Sequence, residues 1–180
     1  NSKRHTLILK SGDSMNIVNV HCGDSSAEIL RRSGESVPGE HIVWTEVLHD
    51  GSLPCDDFHS ETWYDTRAGF LFGKIGGAIP KDKIIKKLKT QDGQLEDALK
   101  KADETLFWFD ACMFDQVTLA RHLKYISGHR KDVNSRLTLI SAGSFPGFRK
   151  FRGLGELDAS QLASLMPSKT EITEEIVSLG

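Results

Sequence analysis

Short apolar runs separated by amphipathic stretches set the rhythm of this chain. Asn16-Ile17-Val18-Asn19-Val20 and His41-Ile42-Val43-Trp44 read as strands, because β-branched and aromatic residues cluster there between turn signals. Thr105-Leu106-Phe107-Trp108-Phe109 is the most strand-like run, and Leu137-Thr138-Leu139-Ile140 gives a fourth. Between these runs the period changes. Ser25 to Arg32 predicts a helix that stops at Gly34, and Glu61 to Phe72 gathers Trp63, Ala68, Phe70 and Leu71 on one side. Lys81 to Thr90 sets Ile84, Ile85 and Leu88 in a stripe among lysines, and Leu95 to Lys101 continues in helical style after Gly93. Met113 to Ile126 is amphipathic and ends before Gly128, and short helices are expected near Ala159 to Leu165 and Thr170 to Leu179.

Strands alternating with helices in this way predict an α/β fold, a three-layer sandwich around a mostly parallel sheet of about four strands. Two long connections, Glu46 to Ser60 and Ser141 to Leu157, interrupt the alternation, and long irregular segments in compact domains tend to carry function. Residues 16 to 180 read as a single domain, with 1 to 15 as an N-terminal extension and Met15 as a candidate natural start.

Composition narrows the classes of partner. At 180 residues the chain can bury one real core. A net charge of -2 argues against nucleic acid as a general partner. No apolar run approaches the roughly 18 residues that span a bilayer, so no membrane partner is expected and the cytoplasm is the default compartment. Cys22, Cys55 and Cys112 form no Cys-x-x-Cys pair, which points to reduced thiols rather than a disulfide framework or zinc knuckle. None of these features names a cofactor.

The chemistry-bearing residues lie in the connections. Gly23-Asp24-Ser25 ends a strand and opens a helix, the place where open α/β sheets collect ligands and where free helix N–H groups suit a phosphate. Ser25-Ser26-Ala27-Glu28 also fits a capping box. Strand-Gly-Asp-Ser-helix resembles the opening block of the GDS-type lipases and esterases, which makes Ser25 a candidate nucleophile. Their late Asp-x-x-His is missing, since Asp56-Asp57-Phe58-His59 comes far too early, and His49 is left as the candidate base. Glu46, His49, Asp50, Cys55, Asp56, Asp57 and His59 bring metal-capable groups into one loop, but their spacing matches no standard ligand set, and no metal is expected. Asp110, Asp115 and Gln116 surround the end of the aromatic strand, at the same edge as Gly23 if the sheet is parallel. Arg149-Lys150-Phe151-Arg152, with Phe148 beside it, is a basic cluster interleaved with aromatics.

Four segments in order carry a family resemblance. They are Gly23, Asp24, Ser25, Ala27 and Leu30; then Trp44, Glu46, Val47, Leu48, His49, Asp50, Gly51 and Pro54, with Arg67 following; then Trp108, Phe109, Asp115 and Gln116; and finally Gly153, Leu154, Gly155, Glu156 and Leu157. Together, over about residues 16 to 166, they resemble the bacterial family of uncharacterised proteins that carry domain of unknown function 1835. Where that family tends to show Trp-Phe-Glu-His-Asp, this chain has Trp108-Phe109-Asp110-Ala111-Cys112. Family members usually run longer, so the resemblance implies a fragment or a short form.

Taken together, the motifs and the resemblance lead us to expect a small polar or phosphate-bearing ligand at the carboxyl edge of the sheet. Its contacts would be Gly23, Asp24, Ser25, Glu46, His49, Asp50, Arg67, Asp110, Asp115 and Gln116, with Arg67 as counter-charge and Ser25, His49 and Asp115 as catalytic candidates. A serine hydrolase built on Ser25, and a protein- or nucleic-acid-interaction module built on Arg149, Lys150 and Arg152, stand as the other two classes.

Overall fold

The computed structural model describes residues 15–32, 34–54 and 58–178. Its strands are β1 (Ile17–Cys22), β2 (Glu40–Trp44), β3 (Glu104–Asp110), β4 (Arg136–Ala142) and β5 (Thr170–Glu171). Its helices are α1 (Asp24–Arg32), α2 (Glu61–Lys74), α3 (Lys81–Lys101), α4 (Met113–Gly128), α5 (Ala159–Ala163) and α6 (Glu174–Val177). The sheet order is β2-β1-β3-β4-β5, with the first four strands parallel and β5 antiparallel to β4.

Side-chain alternation along the strands builds the layers. Val18, Val20, Ile42, Trp44, Phe107 and Phe109 pack against Leu95 and Leu99 of α3, Leu123 and Ile126 of α4, and Val177 of α6. Leu106, Trp108 and Ile140 turn the other way, onto Leu30 of α1 and Leu162 of α5. Both faces of a parallel sheet are thereby covered, which is why its strands read as nearly continuous apolar runs. Helix α2 lies outside this sandwich, packed on α3 through Trp63, Tyr64, Ala68, Ile84 and Leu88. No described helix is long and apolar enough to cross a membrane.

Two elements differ from the sequence expectation. The expected helix from Thr170 to Leu179 begins instead as β5, and only Glu174–Val177 is helical. A strand of two residues has no periodicity to read. Its position is fixed by distant partners: buried Glu104 accepts Lys169 Nζ at 2.8 and 2.9 Å, and the Ile172 N–H donates to the Leu137 carbonyl at 2.9 Å. The two stretches flanking Gly93 are one helix of 21 residues, because the buried face of Gln91, Asp92, Leu95, Ala98 and Leu99 runs on past the glycine. A helix-interior glycine costs about 1 kcal/mol relative to alanine. A Cβ at Gly93 would meet nothing within 4 Å, so Gly93→Ala is expected to stabilise the fold by about 0.5–1 kcal/mol, read as a higher urea midpoint with an unchanged slope. A lowered midpoint would contradict this placement of Gly93.

Candidate functional site at the carboxyl edge

From β1 the chain crosses to β2 on one side, while β3 lies on the other, so the loops after β1 and β3 diverge and leave a crevice between them. Gly23 makes the turn into α1 at a φ of 85°, a left-handed conformation that favours glycine, and its N–H donates to the Trp44 carbonyl at 2.8 Å. Helix α1 starts at Asp24, so Ser25 sits inside the first turn and does not cap it. The expected capping box is not formed: the Glu28 carboxylate goes to Arg31 and Arg32, at 3.5 and 2.9 Å. Asp24 and Ser25 are both exposed.

The loop after β3 is a closed network of short bonds. The Cys112 sulfur caps α4 by accepting the Asp115 N–H at 3.5 Å, and Asp115 Oδ2 accepts the Asp110 N–H at 2.7 Å. Asp110 Oδ1 accepts the Cys112 N–H at 2.9 Å, and Gln116 Nε2 donates to the Asp110 carbonyl at 2.6 Å. The second carboxylate oxygen of Asp110 reaches the loop after β4, where it accepts the Leu154 N–H at 3.3 Å. Gly153 has a φ of 147°, and a Cβ there would stand 2.1 Å from that same oxygen. Two residues on, a Cβ at Gly155 would lie 3.3 Å from the Cβ of Ser25. The Gly153–Glu156 segment is therefore wedged between the first turn of α1 and the loop after β3.

An open cleft of about 200 Å³ remains beside this wedge, lined by Asp110, Ala111, Cys112, Gly143, Arg152 and Gly153. Arg152 is the cation on its wall, exposed and 3.7 Å from Glu156. Ala111 and Cys112, which stand where the resembled family tends to show histidine and an acid, both front the cleft. Burial pushes the Asp115 carboxyl up to about 6; the Asp110 N–H it accepts pulls it down and the Asp110 charge adds to the rise. Folded Asp115 thus takes its proton at higher pH than the unfolded chain does. The stability this gives is present at acid pH and lost as the pH rises through about 6. Burial also pushes the Cys22 thiol up, and burial with the Asp110 bond raises Cys112 to about 11, so neither is a thiolate at neutral pH.

Asp110, Cys112 and Asp115 could in principle hold a metal ion, since one ligand-type atom of each lies within 4.8 Å of the others. Three of their carboxylate oxygens already accept main-chain N–H groups, which is the work of a capping network.

Other sequence candidates lie elsewhere. Arg67 is not a ligand counter-charge. It is fully buried, paired with Glu46, and donates to the carbonyls of Asp50, Ser52 and Val47 at 3.0, 2.9 and 2.9 Å. Burial pushes the Glu46 carboxyl up, against the pull of that guanidinium. Glu46 and Arg67 together fasten the loop after β2 onto α2. Asp50 is exposed and pairs with Lys74 rather than facing the cleft. His49 is exposed, with its ring edge-on to Phe114 of α4 at 5.4 Å. Among the described residues Ser25 hydrogen-bonds neither histidine nor carboxylate. His59 faces Glu96 and Asp92, so the metal-capable loop does not converge; Cys55, Asp56 and Asp57 lie outside the described residues. Phe148 and Phe151 are half-buried against Phe145 with ring centroids 6.0 and 6.4 Å from it, which leaves Arg149 and Lys150 exposed without an open aromatic platform.

Sequence reasoning missed a buried charge network between α2, α3 and α4. Asp92 accepts Arg121 Nη2 and the Tyr64 hydroxyl, each at 2.8 Å. The Arg121 guanidinium lies 4.8, 5.1 and 5.6 Å from the ring centres of Trp44, Phe58 and Trp63. His59 Nε2 is 3.3 Å from Asp92, near enough to attract it but off the hydrogen-bond line. Burial opposes ionisation of Asp92, yet His59, Arg121 and Tyr64 together hold its carboxyl below the usual range. Next to it His122 is fully buried against Trp44, with neither ring nitrogen partnered among the described residues, and burial keeps it neutral, with its pKa lowered to about 3. No local spacing announces this cluster, because its members come from four separate segments.

The arrangement defines a doubly wound α/β domain with a polar cleft between the loops after β3 and β4, at the carboxyl edge of its sheet. Compared with family models, curated proteins and solved structures, the chain gives no match.

Proposed function

We propose that the cleft beside Asp110 and Gly153 binds a small polar ligand through an anionic group, a phosphate above all. The observation that carries this reading is the meeting of the loops after β3 and β4 around one polar cleft at the carboxyl edge, with Asp110 bonded across to the Leu154 N–H. Its volume, about 200 Å³, is below the range of about 300–1,000 Å³ typical for whole drug-sized ligands, which suits a head group more than a complete nucleotide. Arg152 takes the counter-charge role that buried Arg67 cannot fill. Asp110 and Cys112 offer acceptors to hydroxyl or amino groups, with Asp115, whose carboxyl burial pushes up to about 6, behind them. The reading includes kinship with the family carrying domain of unknown function 1835, since Asp115, Gln116 and Gly153 to Glu156 both carry that resemblance and build the loops around the cleft. It also puts the protein in the cytoplasm, a compartment that keeps thiols such as Cys22 and Cys112 reduced.

A thermal-shift series with inorganic phosphate, sugar phosphates and nucleoside monophosphates tests it. A ligand present at 100 times its Kd stabilises by about 2.7 kcal/mol, and Arg152→Ala is expected to remove that shift while His49→Ala keeps it. A shift of undiminished size in the Arg152 variant would sink the reading.

A further inference from the structure

Away from the carboxyl edge, β2 ends the sheet, and among the described residues no strand pairs with its outer side. The Trp44 carbonyl accepts the Gly23 N–H on the β1 side. Main-chain groups of a strand point alternately to its two sides, so those of His41 and Val43 face outward. They form the floor of a groove of about 470 Å³ with Arg31 of α1 on one wall and Lys83, Lys86 and Lys87 of α3 on the other. The three lysines make no ion pair among the described residues, unlike Lys81 and Lys89 on the same helix, which bind Asp65 and Glu61. Gln91 lines the groove at 4% exposure; its Oε1 accepts the Thr45 hydroxyl, while its Nε2 has no partner among the described residues. Further along, past Gln94, the groove continues to Glu40 and to Asp97, which pairs with Lys101.

We propose that this open edge of β2 receives an acidic, extended peptide segment of another protein as an added strand. An added strand supplies N–H donors for the outward carbonyls of His41 and Val43 and carbonyls for their N–H groups. Its side chains alternate, so acidic residues on one face meet the lysines of α3 while the other face lies towards α1. A chain with net charge -2 that gathers four cations around one edge, unpaired among the described residues, is complementary to negative charge at that place. Nucleic acid fits less well. A phosphate backbone has no donor for the outward carbonyls, and the groove wall offers no Phe, Tyr or Trp on which a base could stack.

The test is fluorescence anisotropy on the full chain with a labelled peptide alternating glutamate and valine. Two further probes are the same peptide N-methylated at alternate amides and a thymidine oligonucleotide of equal charge. The plain peptide is expected to bind and to weaken at least about tenfold in the combined variant Lys83→Glu, Lys86→Glu, Lys87→Glu, with Lys→Arg at the same positions retaining affinity. All three side chains are exposed or half-exposed on α3, so circular dichroism of the variant should match the parent. N-methylation is expected to cost a similar factor, and the oligonucleotide to bind more weakly than the peptide. No peptide binding, equal binding of the methylated peptide, or tighter binding of the oligonucleotide would each overturn the proposal.

Discussion

Arg67→Ala is expected to cost the fold about 3–5 kcal/mol, a large part of the stability of a domain this size. The substitution leaves the Glu46 carboxylate buried without its partner and takes the donor from three carbonyls of the loop that follows β2. Urea unfolding followed by circular dichroism reads the loss. The double variant Glu46→Leu, Arg67→Met is expected to recover most of it, because an apolar pair of similar volume has no charge to desolvate. A loss below about 1 kcal/mol in Arg67→Ala would mean that the pair does not anchor this loop.

Asp92→Ala is expected to cost a similar amount, about 3–5 kcal/mol, for a different reason. It strands the Arg121 charge among Trp44, Phe58 and Trp63 and leaves the Tyr64 hydroxyl without its acceptor. The effect also has a pH signature. The folded Asp92 carboxyl lies below its ordinary value of 3.8, so its contribution is present above that value and lost as the pH falls through the lower folded one. Stability measured from neutral to acid pH should therefore fall more steeply in the parent than in Asp92→Ala over that range. Parallel curves would contradict the assignment of Asp92 as the partner of Arg121.

The strands and most helices were legible because each carries its own period. Phe107 and Phe109 face one layer, Leu106 and Trp108 the other, and that alternation is local. What escaped the sequence depends on partners far along the chain. Thr170 and Glu171 form a strand against β4, beside the Lys169–Glu104 pair and the Ile172–Leu137 bond, all of them contacts with distant partners. Asp92 sits in a lysine-rich helix where charges usually mean a solvated face, and Arg121 buries it. The same limit misdirected Arg67, whose charge suggested a ligand until Glu46 was found against it. At the cleft the sequence marked Asp110, Asp115, Gln116 and the glycines of the last loop. It did not show that Gly153 is a glycine so that Asp110 can occupy the space of its side chain.

The most direct test of the central claim is an inorganic phosphate titration of the isotope-labelled protein, followed by amide chemical shifts. The account expects saturable shifts confined to Ala111, Cys112, Gly143, Arg152 and Gly153 and their neighbours, abolished by Arg152→Ala. Saturable shifts confined to another surface, or none at any of these five amides, would contradict it.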